Sequence, residues 1–107
     1  MAGVGRYVKM TARAGRGEEL ASTMLRVADS LRATSGCELY LVNRSSEDPD
    51  VVWVTELWAT QEAVDASLEQ LRTEAGEAQL AQVMSLLTGA PERIDLVPLG
   101  GVGYRPA

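Results

Sequence analysis

Apolar and polar positions change period several times along the chain, and each change marks an element. Val51-Val-Trp-Val-Thr-Glu-Leu-Trp-Ala59 alternates with period two, is rich in β-branched and aromatic residues, and follows a turn at Asp48-Pro49-Asp50. It reads as a strand with Val52, Val54, Glu56 and Trp58 on one face. Val51, Trp53, Thr55 and Leu57 take the other, and both faces are apolar enough to need cover. Val4 to Ala12 reads as an earlier strand, with Val8, Met10 and Ala12 on one side and Tyr7, Lys9 and Thr11 on the other. Gly15-Arg-Gly17 breaks it. The period then lengthens: Leu20, Met24, Val27, Ala28 and Leu31 share one helical face, opened by Glu18 and Glu19 and stopping near Ser35-Gly36.

A strand over Cys37 to Ser45 leads through Ser46-Glu47-Asp48-Pro49-Asp50 into the Trp53 strand, as a β-hairpin. Thr60 is a helix N-cap, and Val64, Leu68 and Leu71 repeat at helical spacing, with Ser67 on the same side. The pattern predicts a break or bend around Gly76. A further helix then carries the stripe Leu80, Val83, Met84 and Leu87, closed by Gly89 and Pro91. Ile94 to Leu99 is a short last strand whose Pro98 suits an edge or an end, and residues 100–107 form an extended, mobile tail.

The order β-α-β-β-α-α-β is that of an α+β, ferredoxin-like split βαβ fold with an antiparallel sheet, one domain over residues 1–107. Helices on one sheet face leave the other needing a partner. The simplest is a second copy, giving a homodimer through the face that bears Trp53 and Leu57.

Composition narrows the chemistry. A net charge of −5 argues against affinity for nucleic acid or anionic membranes. With no apolar run long enough for a span and no signal-peptide core in Met1-Ala-Gly-Val-Gly-Arg, a cytoplasmic protein is expected. The chain has no histidine and one cysteine, Cys37. A histidine base, a histidine metal or haem ligand, a thiolate cluster and a Ser-His-Asp arrangement are therefore all missing, and no metal or cofactor is expected. Any chemistry falls to carboxylates, Tyr, Lys, Arg, Cys37 or a reactive substrate.

Several fragments then fall in a telling order: Ala14-Gly-Arg-Gly-Glu-Glu-Leu20, Ser35-Gly-Cys37, Asp48-Pro-Asp50, Glu56-Leu-Trp58 with Gln61-Glu-Ala63, Pro91-Glu, and Pro98-Leu-Gly-Gly101. Together they resemble the antibiotic biosynthesis monooxygenase (ABM) family across nearly the whole chain. That resemblance implies a dimeric α+β barrel with a pocket between sheet and helices. It also implies chemistry drawn from cofactor-free oxygenation of quinols and anthrones, haem degradation or isomerisation. Many members carry a histidine eleven residues after the glutamate; here that position is Ser67.

Glu56 is the leading catalytic candidate, because a carboxyl on an apolar face is desolvated and tuned toward neutral pH. The bland alternative is a structural pairing with Tyr40 or Arg44. Trp58 is either a stacking wall and N–H donor for a flat ligand or a core residue. Tyr40 and Arg44 are candidate anion stabilisers. Val54, Ser67, Met24 and Met84 are candidate substrate contacts, against the alternative of helix and core packing, and Cys37 reads as an inert thiol. The resulting expectation is a cofactor-independent monooxygenase using O2 on a small aromatic substrate. Its rivals are an isomerase or cyclase on a polyketide-like intermediate, and a non-catalytic small-molecule-binding dimer.

Overall fold

A computed structural model describes residues 3–104; Met1, Ala2 and the last three residues of the expected tail lie outside it. The elements are β1 (Val4–Thr11), α1 (Gly17–Ser30), β2 (Cys37–Arg44), β3 (Val51–Trp58), α2 (Gln61–Gln70), α3 (Glu74–Ser85) and β4 (Glu92–Leu96). They follow the order read from the sequence. The sheet runs β2-β3-β1-β4 with every neighbouring pair antiparallel. Consecutive β2 and β3 form the hairpin, and β1 inserts between β3 and β4, which is the split βαβ arrangement.

Period-two alternation decides where the core lies. Val52 and Val54 are wholly buried on the helix side of β3, beside Val8 and Met10 of β1, with Leu20 and Met24 of α1 packed above them. Each such side chain contributes roughly 1.5–3 kcal/mol through removal from water. Val83, Leu86 and Leu87 close the core at the end of α3. Leu80 and Met84, expected on that stripe, are instead 44% and 45% exposed. The packing face of α3 turns toward the core only in its last turn.

Two boundaries differ from the sequence reading. Helix α1 stops at Ser30 rather than near Gly36, and the chain continues in tight turns with Leu31 N–H bonded to Ala28 O at 3.0 Å and Thr34 N–H to Leu31 O at 3.0 Å. Gly36, at φ +86°, then redirects the backbone into β2. The other break falls at Leu71–Thr73, not at Gly76. Thr73 Oγ1 accepts from Gly76 N–H at 3.1 Å and so caps a fresh helix with Gly76 inside it. Glycine is needed there because a Cβ would collide with the Gln70 carbonyl oxygen.

The hairpin also starts α1. Asp50 accepts from Gly15 N–H and Gly17 N–H, both at 3.0 Å, supplying caps that the Arg16 side chain does not. Strand β4 begins two residues earlier than expected, at Glu92, and ends at Leu96, before Pro98 interrupts any ladder. Within the described part of the tail, Gly101 and Tyr104 form an isolated bridge.

The other sheet face carries Tyr7, Trp53, Thr55, Leu57, Leu39, Leu41, Ile94 and Leu96 by register. Tyr7 stacks on Trp53 at 4.6 Å between ring centroids. Leu39, Leu41, Ile94 and Leu96 are exposed. Among the described residues no helix is long and apolar enough to cross a membrane.

Candidate functional site

The register supplies what alternation alone could not, namely the residues that share the face of Glu56. Tyr40 of β2 lies opposite Glu56, Arg6 of β1 lies opposite it on the other side, and Asp95 of β4 lies beyond Arg6. Directly opposed residues in antiparallel strands point the same way. A polar row Tyr40–Glu56–Arg6–Asp95 therefore crosses the helix-side face, next to the apolar row Val42–Val54–Val8.

Above this row lies a cleft of about 560 Å³. Its floor is Arg6, Tyr40, Glu56 and Trp58; Val27 and Leu31 wall it from α1 and the turn that follows. Ser67 and Leu68 wall it from α2, Leu71 from the break that follows, and Gly76 and Gln79 from α3. The early stop of α1 and the break between α2 and α3 leave this end of the sheet uncovered by the main core. That is why a space persists here. Its volume lies in the range of small-molecule sites.

Glu56 is 9% exposed and Trp58 2%. The indole Nε1–H of Trp58 donates to Glu56 Oε1 at 2.9 Å. Burial pushes the Glu56 carboxyl above its ordinary value; the Trp58 hydrogen bond and the positive charges of Arg6 and Arg93 pull the other way without cancelling it. The Tyr40 phenol is pushed up by burial first, then by the charges of Glu56 and Cys37, so it remains a proton donor. Cys37 is likewise raised by burial, then by Glu56 and Glu38, which is the opposite of thiolate activation.

Of the residues singled out in the sequence, Glu56, Trp58, Tyr40 and Ser67 come together around this cleft. The other four do not line it. Arg44 is exposed at the hairpin end, opposite Val52 and on the far side of the Val42–Val54 row. Val54 is sealed under the helices, Met24 packs in the core at 3% exposure, and Met84 points outward. Two finer expectations also change. Trp58 spends its N–H on Glu56 rather than offering it to a ligand, and the Ser67 hydroxyl donates to Val64 O at 2.7 Å in its own helix.

Arg6 was missed in the sequence. Its signal was parity, since it shares the alternation of Val8 and Met10 and so had to point to the helix side. Leu31 and Leu71 were legible as apolar helix positions, but not as cleft walls.

The sequence model described as antibiotic biosynthesis monooxygenase matches residues 4–81, from β1 through most of α3. The chain belongs to this family. It is similar to a crystal structure from Chloroflexus aurantiacus J-10-fl, provisionally named an ABM protein, at 29% identity. That match has a TM-score of 0.78 and covers 94% of this chain and 97% of the other. It is also similar to one from Caulobacter crescentus CB15 bearing the same provisional name, at 22% identity, TM-score 0.79 and 92% coverage of each chain. Rv0793 from Mycobacterium tuberculosis matches at 22% identity and TM-score 0.76, over 94% of this chain and 99% of its own. These last two likenesses are of fold. No curated protein matches the ABM chain described here.

Proposed function

We propose that this ABM protein is a cofactor-independent monooxygenase of a small, electron-rich hydroxyaromatic, with dioxygen as second substrate and Glu56 as base. The observation that carries the reading is a carboxyl at the floor of a largely apolar cleft, its pKa pushed up by burial. Ionised Glu56 takes the acidic proton of a quinol- or anthrone-type ring. The anion passes one electron to dioxygen, and the substrate radical and superoxide combine to form a C–O bond. The remaining hydrogen on that carbon then leaves as a proton, the O–O bond breaks, a carbonyl forms and water departs. One atom of dioxygen ends in the product and the other in water.

The remaining groups support this reading. Trp58 orients the carboxyl through its indole N–H, from its buried place in the cleft floor. The Tyr40 phenol, opposite Glu56 in the same row, donates to the oxygen on which the anion's charge gathers. Oxygen uptake with an anthrone and with a dihydroxynaphthalene tests the proposal. The expected result is uptake above the buffer rate and one labelled atom in the product from isotopically labelled dioxygen. Turnover of neither ring class would overturn it.

We also propose that the protein is a homodimer through the open sheet face. The supporting observation is the exposure of Leu41, Ile94 and Leu96 around Trp53 and Leu57, an apolar patch of the kind that marks interfaces.

A further inference from the structure

One group on the cleft floor has no role in that reaction. Arg6 sits mid-strand between Glu56 and Asp95, and its side chain lines the cleft. Its Nε is buried and has no hydrogen-bond partner among the described residues. One oxygen of each nearby carboxylate is engaged elsewhere. Asp95 pairs with Arg93 at 3.1 Å, and Glu56 Oε1 takes the Trp58 indole N–H. No carboxylate lies within 4.0 Å of the Arg6 guanidinium among the ion pairs of the described residues. A guanidinium is permanently charged, and its fork of N–H donors matches a carboxylate in two parallel bonds. A buried donor left without an acceptor inside a ligand-sized space marks where an acceptor belongs.

We propose that Arg6 anchors an acidic group of the ligand, so that the cleft binds a ring-bearing carboxylic acid more tightly than its neutral counterpart. The apolar walls, Val27, Leu31, Leu68 and Leu71, take the ring. Arg6 on β1 holds the carboxylate, which places the ring beside Glu56 and Tyr40 on the next two strands. Arg6 is thus a specificity residue. Among the described residues that line the cleft Arg6 is the one cation, while Arg93, whose charge also reaches Glu56, pairs with Asp95 and Arg44 is at the far end of the hairpin.

This inference rests on the cleft being the ligand site, but not on oxygen chemistry. The test is anaerobic titration calorimetry of the purified chain with naphthoate and with methyl naphthoate, probes that share a ring system and differ in charge. The acid is expected to bind roughly tenfold or more tighter than the ester, and Arg6→Gln to erase that preference. Arg6→Lys, which keeps the charge without the fork, is expected to retain part of it, and covers the case in which Arg6→Gln does not fold. Equal binding of acid and ester to the native protein, an undiminished preference in Arg6→Gln, or binding of neither probe would each overturn the proposal. Loss of the acid preference leaves the oxygenase reading standing. Tight acid binding without oxygen uptake on hydroxylated rings leaves Arg6 in place and removes that reading alone.

Discussion

Trp58 and Glu56, two residues apart on one face of β3, are joined by a 2.9 Å hydrogen bond from the indole Nε1–H to the carboxyl Oε1. Both side chains are buried, so the bond is made away from competing water, where it fixes one carboxyl oxygen and leaves the other for the cleft. Trp58→Phe removes the donor and keeps an aromatic ring. The orphaned acceptor costs about 1–3 kcal/mol, with the lost ring volume adding to it. Because the indole bond lowers the carboxyl pKa, its loss raises Glu56 further. Denaturant unfolding reads the first effect, and the pH dependence of turnover, moved to higher pH, reads the second.

The raised pKa of Glu56 also links stability to pH. Burial makes the folded chain hold this proton more tightly than the unfolded chain does. Between the ordinary carboxylate value and the raised one, the folded state binds more protons, so unfolding free energy falls as pH rises through that window. The groups facing Glu56 are Arg6 and Arg93, which moderate the shift, and Tyr40 and Cys37, whose protons stay on. Glu56→Gln keeps an oxygen acceptor for the indole and removes the charge. Its stability relative to the native chain is expected to improve with rising pH across the window, as followed by urea unfolding at stepped pH. A constant difference at every pH would contradict the shift.

The break between α2 and α3 depends on Gly76. A methyl group there meets the Gln70 carbonyl oxygen and the Leu71 Cα, both backbone, so relief requires moving the helix junction that walls the cleft. Gly76→Ala is expected to cost about 1–3 kcal/mol. Gly89→Ala, where a Cβ meets nothing within 4 Å, is expected to stay within about 0.5 kcal/mol. Paired thermal melts of the two variants check this.

Association through the open face predicts a particle of twice the 11.5 kDa chain mass. Leu41 is 48% exposed on that face, in the row with Thr55. A charge there spares the core and opposes burial against a second copy. Leu41→Asp is expected to sediment as a folded monomer, while the native chain sediments as a dimer at micromolar concentration. A native monomer would contradict the association.

The fold was legible because its signals are local and repeat. Alternation in Val51–Trp58 and the three- and four-residue spacing of Leu20, Met24 and Val27 each specify an element alone. The site was half legible. Glu56 and Trp58 stand on one strand, so parity placed them together. Arg6 and Tyr40 meet them only through strand pairing, and register is set by contacts between residues far apart in sequence, which periodicity along the chain does not display. Gly76 misled because a glycine within a helical pattern suggests a break, whereas here it serves the close approach of the preceding helix end. Met84 failed for a related reason. Its helical stripe was real, but α3 meets the core only through its final turn.

In the proposed reaction Glu56 accepts the substrate proton that starts oxygenation. Oxygen-uptake kinetics at saturating hydroxyaromatic substrate, for the native chain and Glu56→Gln across a pH series, test it most directly. The expected result is a native rate that rises with pH through a limb above the ordinary carboxylate value, and a loss of about 10²–10⁴-fold in the variant, whose limb disappears. A Glu56→Gln variant that consumes oxygen at the native rate with the same pH profile would contradict it.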